Sequence, residues 1–186
     1  RCMPPELSKL GCLSMRKLFF YSPEKSGEPQ NRLLYRLKHE PSVRIERAVA
    51  QEVWFYLQKE LAVMEISPEE AVLCWVPRGR RARVDYGFDQ SERMMAALST
   101  ISGIPAVGAL ARKFGGKEQK SLNRRQRFRN TKGLFVIRKP EQIAGKVVVL
   151  FDDIVTTGAS MAACVPLLQS AGARAIFLLC LARDKK

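Results

Sequence analysis

The sequence predicts an α/β fold, a mostly parallel twisted sheet flanked by helices, and three observations carry that expectation. Val147 to Phe151 is an unbroken β-branched and aromatic run, as expected of a strand covered on both faces. Ala175 to Leu181 is a second such run, and between the two, Met161, Cys164 or Val165, and Leu168 recur at helical spacing. Upstream, Val49, Val53, Leu57, Leu61 and Met64 step by three or four residues, which marks a long amphipathic helix before a third apolar run at Ala71 to Val76. Strand, helix and strand in this order make residues 147 to 181 a βαβ unit, expected to be right-handed.

The other elements follow along the chain. Leu13 to Tyr21 reads as an early strand, and the Pro, Gly and Ser cluster from Ser22 to Pro29 as an exposed turn. A short helix is expected over Asn31 to Lys38, with His39 as a surface or C-terminal capping residue. The long helix begins beyond Pro41 and ends before Ser67-Pro68. Asp89 and Glu92 stand in capping-box spacing at the head of a helix reaching about Ile101, and Ala106 to Leu110 reads as a short strand. Residues 112 to 132 carry nine basic residues against Glu118, a net +8, with Gly115-Gly116 and little apolar content, so they are expected to be mobile without a ligand. Pro166 falls inside the last helix and predicts a bend, and Gly172 marks its stop.

Length and composition limit what such a chain can be. At 186 residues it can bury one α/β core, with a small N-terminal segment over residues 1 to 28 and the main domain over 29 to 186. No apolar run approaches the roughly 20 residues that span a bilayer, and no signal-peptide core is present, so a soluble, cytoplasmic protein without membrane insertion is expected. The five cysteines are odd in number and three lie in expected strands or a helix, which argues against a disulfide scaffold. They also do not make up a complete zinc site. With 32 Lys and Arg against 18 Asp and Glu, the net charge of +14 calls for an anionic partner. Nucleic acid and a small phosphorylated ligand both satisfy that requirement.

Two strand ends carry the chemistry. Asp152 and Asp153 follow the run Val147 to Phe151, at the carboxyl edge where open α/β sheets bind ligands. Thr156, Thr157, Gly158, Ala159 and Ser160 then supply hydroxyls, small side chains and one residue free to take positive φ, so that backbone N–H groups can converge on an anion at a helix start. The plainer reading is a solvated acidic turn followed by ordinary helix caps. After Ala71 to Val76 come Pro77, Arg78, Gly79, Arg80, Arg81 and Arg83, where arginines suit phosphate and glycine permits close backbone approach. An Arg-rich turn can equally be only solvated.

The strand, Asp-Asp, two spacers and Thr-Thr-Gly-x-Ser together resemble the phosphoribosyl pyrophosphate (PRPP) motif of type I phosphoribosyltransferases. That resemblance implies the type I phosphoribosyltransferase fold and a catalytic, ribose-binding role for Asp152 and Asp153. It makes residues Thr156 to Ser160 the 5′-phosphate cradle and Arg78, Gly79, Arg80 and Arg81 the pyrophosphate loop. It also implies Mg²⁺ as the cofactor, held by Asp152 and Asp153 through water and by PRPP itself, and a lid over 112 to 132. Mg²⁺ keeps several waters and needs few protein ligands, so the lack of a His or Cys cage is no objection.

Gly87-Phe88-Asp89-Gln90-x-Glu92 after the basic turn is similar to an element of the ComF family, with Tyr86 and Asp89 where relatives carry Arg and Asn. Gln119, Leu122, Arg127 and Asn130 resemble the same family, and Gln119, Lys120, Arg124 and Arg127 would be the working residues of the lid. Arg1-Cys2-Met3-Pro4-Pro5 resembles the end of an N-terminal zinc-ribbon segment, and the lack of an initial Met is consistent with truncation or processing. The resemblance implies a PRPP-binding protein, with transfer to an unidentified acceptor if it is an active enzyme. The alternative is a non-catalytic or regulatory protein of this fold that binds single-stranded DNA in competence and DNA uptake. An RNA-binding regulator of nucleotide synthesis is a third reading. Oligomeric state is not legible.

Overall fold

The computed structural model describes residues 3 to 21, 24, 27 to 79, 87 to 113, 131 and 133 to 184. Along the chain run α1 (Pro5–Ser8), β1 (Met15–Tyr21), α2 (Pro29–His39), α3 (Val43–Val63), β2 (Ala71–Trp75), α4 (Gln90–Ser102), β3 (Leu110–Arg112), β4 (Phe135–Ile137), β5 (Val147–Val155), α5 (Ala159–Ser170) and β6 (Ala175–Asp184). Four of the strands form one parallel sheet in the order β1-β6-β5-β2.

Both faces of this sheet are covered, which is why its central strands read as continuous apolar runs. On one face Val148, Leu150, Ile176 and Leu178 pack with Leu7 of α1 and with Met161, Cys164, Val165 and Leu168 of α5. On the other face Val149, Phe151, Phe177 and Leu179 meet Leu34 and Leu37 of α2, the Val49, Val53, Leu57 and Leu61 stripe of α3, and Met94, Met95 and Leu98 of α4. The stripe expected from helical spacing is therefore the buried stripe of α3. Ser42 caps that helix by accepting from the Ile45 N–H at 3.4 Å.

Differences from the expected elements have local causes. The expected strand at Ala106 to Leu110 shrinks to a single bridge between Ala106 and Leu73, and regular pairing starts only at Leu110, as β3 against β4. Pro105 offers no N–H, and Gly108 lies so close to the Trp75 ring that an added Cβ would sit 3.2 Å from it. β4 has only three residues, too few to show a period. β5 extends past Phe151 through both acids to Val155, and β6 reaches Asp184, because the two strands keep one register to Val155 opposite Arg183. α5 runs on through Pro166, which lies on its exposed side.

Residues 3 to 14 pack against the main body. Leu7 is fully buried, the Leu13 N–H donates to the Ile176 carbonyl at 2.8 Å, and Gln169 Nε2 donates to the Leu10 carbonyl at 2.8 Å. Cys12, Cys74, Cys164 and Cys180 are free thiols, and burial pushes the Cys74 thiol up to about 11, so these cysteines behave as small apolar groups. Cys2 lies outside the described residues. His39 ends α2 as expected and stacks on Tyr35, with ring centroids 4.1 Å apart.

A two-pronged ion pair ties α3 to α4. Arg93 Nε and Nη2 donate to Glu46 Oε1 and Oε2 at 2.6 and 2.8 Å, and Glu46 is buried. Glu46 is buried but Arg93 is about one-third exposed, so water screens part of the loss and Glu46→Ala is expected to lower the unfolding free energy by about 2 kcal/mol. Urea denaturation measures this, and a loss below about 1 kcal/mol would place the pair with ordinary exposed ones.

Candidate functional site

Strand register brings the two predicted loci together. β2 and β5 are parallel neighbours with Trp75 opposite Phe151, and the Val76 N–H still donates to the Phe151 carbonyl at 2.9 Å. Arg78, three residues past Trp75, and Asp153, two past Phe151, therefore lie side by side. Arg78 Nη2 donates to Asp153 Oδ2 at 2.5 Å and to Gln90 Oε1 at 2.7 Å, and the Arg78 backbone N–H donates to Asp89 Oδ2 at 3.2 Å.

Asp89 has a second task. Its other oxygen accepts from the Ser91 and Glu92 N–H groups at 3.0 and 3.4 Å, capping α4. Helix cap and loop support are thus the same side chain, buried at the start of the helix. Lys38, near the end of α2, completes the cluster from the opposite side, with Nζ 3.4 Å from Asp153 Oδ2. Nothing in the sequence marked Lys38, because its role depends on where α2 docks. Gln90 appeared in the sequence only as part of a family-like string.

The two acids have opposite electrostatic settings. Although burial opposes its charge, Asp153 is held below the usual carboxylate range by Lys38 and Arg78, with a further bond from the Ile154 N–H. Asp152 is raised well above that range, first by burial and then by the neighbouring Asp153 charge. Strand alternation from Leu150 on the α5 layer and Phe151 on the α2–α4 layer puts Asp152 on the α5 side, while Asp153 meets Lys38 of α2 and Arg78. The alternation slips only after Asp153. Phe151 and Ile154 both pack on the α2–α4 layer, whereas Leu150 and Val155 both pack on the α5 layer.

The hydroxyl loop turns from β5 into α5. Thr156 is exposed, Thr157 and Ser160 are half-buried, and Gly158 sits at φ +78°, a conformation glycine adopts without strain. Thr157 Oγ1 accepts from the Ala159 N–H at 3.3 Å, so one donor at the helix start is held by the protein's own hydroxyl. Of the predicted site, the structure thus brings together Asp152, Asp153, Arg78 and Gly79 at adjoining strand ends, with Thr156 to Ser160 directly downstream of the acids. Arg80 and Arg81, along with Gln119, Lys120, Arg124 and Arg127, lie outside the described residues.

Beside the acids, a cavity of about 500 Å³ opens under α2, lined by Tyr21, Arg32, Leu34, Tyr35, Lys38 and Ile154 among others. It is of small-molecule size. Among the described residues no group of three or more His, Cys, Asp or Glu could hold a metal, and no helix is long and apolar enough to cross a membrane.

A doubly covered parallel sheet with acids and a hydroxyl-glycine loop at one strand end is the arrangement of a type I phosphoribosyltransferase. Residues 88 to 186 match the phosphoribosyl transferase domain family, and the chain belongs to that family. It is 35% identical over 109 residues to the DNA utilization protein YhgH of Escherichia coli strain K12, an alignment that covers 58% of this chain and 47% of that protein. The protein of the same name from Escherichia coli O157:H7 is 34% identical over the same length, with the same coverage. The chain spans about half the length of these curated relatives. A solved structure described as the allosteric regulatory enzyme of purine biosynthesis aligns with 79% of this chain and 30% of its own, at 19% identity and a TM-score of 0.47.

Proposed function

We propose that the chain binds PRPP or a related phosphoribosyl ligand with Mg²⁺ at the β2 and β5 strand ends. The observation that supports this most directly is the contact of Arg78 with Asp153, which joins a basic turn to an acid pair just upstream of the hydroxyl-glycine loop. Thr156 to Ser160 would hold the 5′-phosphate, Asp152 and Asp153 the ribose, and Arg78 to Arg81 the pyrophosphate, with Gln119, Lys120, Arg124 and Arg127 closing over the ligand.

The donor set suits Mg²⁺, which takes one or two carboxylates and completes its shell with water and substrate phosphates. Asp152 and Asp153 would hold it through water, and its chemistry there is to neutralise the departing pyrophosphate. In transfer, the bond from the anomeric carbon to pyrophosphate breaks, pyrophosphate leaves with the electron pair, and the bond to the acceptor forms as the acceptor sheds a proton. Carboxylates near the ring favour the positive charge that builds there. The cavity under α2 shares Lys38 with the Asp153 cluster, and a small acceptor would enter through it.

Calorimetric titration with PRPP and Mg²⁺ tests this reading. Saturable binding that Asp153→Asn weakens is the expected result, and no heat from the parent protein would overturn it.

A second reading rests on the +14 charge and on relatives that carry the name DNA utilization protein: a protein of this fold that engages single-stranded DNA, with PRPP as a regulatory ligand or none. Affinity for single-stranded DNA should then fall steeply with salt, because phosphate contacts release counterions. Charge reversal at Arg124 and Arg125 should weaken it further. Weak binding at low salt that those reversals leave unchanged would remove this reading.

A further inference from the structure

Helix α1 lies directly behind the hydroxyl loop. A Cβ placed on Gly158 would meet Leu7 Cδ1 at 2.9 Å, Pro4 Cγ at 3.2 Å and Leu7 Cγ at 3.3 Å, so the glycine backbone rests against these two side chains. Both are buried, Leu7 completely. The support is anchored on both sides. The Pro4 carbonyl accepts from the Leu7 and Ser8 N–H groups at 3.0 and 3.1 Å, and Gln169, in the last turn of α5, bonds the Leu10 carbonyl. Beyond α1, the Leu13 N–H donates to Ile176 and the Ser14 carbonyl accepts from the Leu178 N–H at 2.9 Å, which fastens the segment to β6.

We infer that α1 is the back wall of the anion cradle and that Leu7 is a positioning residue for it, acting through Gly158. This rests on the PRPP reading of the loop. An anion at a helix start is bound by N–H groups whose directions are set by the backbone, and an orienting error near 1 Å is costly to such a site. Gly158 is the residue whose φ turns the chain from β5 into α5, so its orientation aims the Ser160 N–H, the Ala159 N–H being held by Thr157 Oγ1. With no side chain of its own to wedge it, Gly158 has its position fixed by what packs against it. Truncating Leu7 opens a void behind the glycine into which the loop can relax, and it leaves the Arg78 cluster untouched on the other side of the sheet.

The geometry therefore separates the two ends of the ligand. Ribose 5-phosphate probes the cradle, and pyrophosphate with Mg²⁺ probes the Arg78 turn. Leu7→Ala is expected to weaken ribose 5-phosphate about tenfold and to change pyrophosphate affinity less than about twofold, with Leu7→Met restoring the first. Calorimetry on the full chain reads both affinities, with circular dichroism confirming that each variant is folded. If Leu7→Ala fails to fold, Leu7→Val removes less volume and should show the same ordering in smaller measure. Equal weakening of both ligands, or unchanged ribose 5-phosphate affinity in a folded Leu7→Ala or Leu7→Val protein, would overturn the positioning role and leave the PRPP reading intact. A parent protein that binds neither ligand would overturn both.

Discussion

Arg78→Ala is expected to bind PRPP with Mg²⁺ on the order of 100-fold more weakly than the parent, the loss that follows when a desolvated charged partner is removed from an anion site. It should also be less stable without ligand. The guanidinium is largely buried between Asp153 and Gln90, and among the described residues its removal leaves Lys38 on the Asp153 carboxylate. Breaking a buried pair from one side costs about 3 kcal/mol. The pH dependence gives the contribution a signature. Asp153 is depressed in the folded protein, so the stability it supplies is present above its unfolded value and is lost as pH falls through the folded one. The parent and Arg78→Ala should accordingly differ most at neutral pH, with the gap narrowing as pH falls below the usual carboxylate range. Urea denaturation at pH 7 and pH 3 measures this, and a pH-independent gap would mean that Arg78 acts by packing rather than by charge. Arg78→Lys keeps the charge but cannot serve Asp153 and Gln90 from one planar group, so it should fall between the two.

The division between what was legible and what was not follows the range of the interactions. Val147 to Ser160 could be read because each signal there is local: an apolar run, then acids, then residues that favour a turn and a helix start. The α3 stripe could be read for the same reason, since a period needs only neighbours in sequence. The Arg78 turn was recognisable as basic, but its contact with Asp153 depends on β2 lying beside β5 with Trp75 opposite Phe151, a register no local pattern encodes. Lys38 and the Glu46–Arg93 fork were invisible on the same grounds. The signal closest to revealing Lys38 was its place near the C-terminal end of a helix expected to pack on the sheet, and that does not say which strand end it reaches. Asp89 shows the limit differently. Capping-box spacing identified the cap, but no spacing shows that its other oxygen holds the Arg78 backbone.

Asp152→Asn should melt several degrees above the parent at pH 7 while binding PRPP and Mg²⁺ more weakly. The ligand-free protein holds this carboxyl beside Asp153 in a poorly hydrated setting, and both influences raise it well above the usual carboxylate range. Asp152 opposes folding once ionised. For a carboxyl raised in the folded state, the favourable contribution is complete below the unfolded value and is lost as pH rises through the folded one. Asparagine removes the ionisation while keeping the shape, so the variant's advantage should be absent in acid, grow as pH passes through that interval, and level off above it. Thermal melts from pH 3 to pH 8 trace that curve. A variant that melts below the parent at every pH would show that the Asp152 oxygen bonded to the Asp153 N–H matters more to the fold than the charge costs it. Ligand should reverse the order. A Mg²⁺ ion near Asp152 would favour the ionised form and recover what the empty site gives up, so PRPP with Mg²⁺ should raise the melting temperature of the parent more than that of Asp152→Asn. A site that is less stable without its ligand than a neutral variant, and more responsive to it, is selected for binding rather than for the fold. If both proteins respond equally to PRPP and Mg²⁺, Asp152 lies outside the ligand's reach and the ribose and metal roles pass to Asp153 alone.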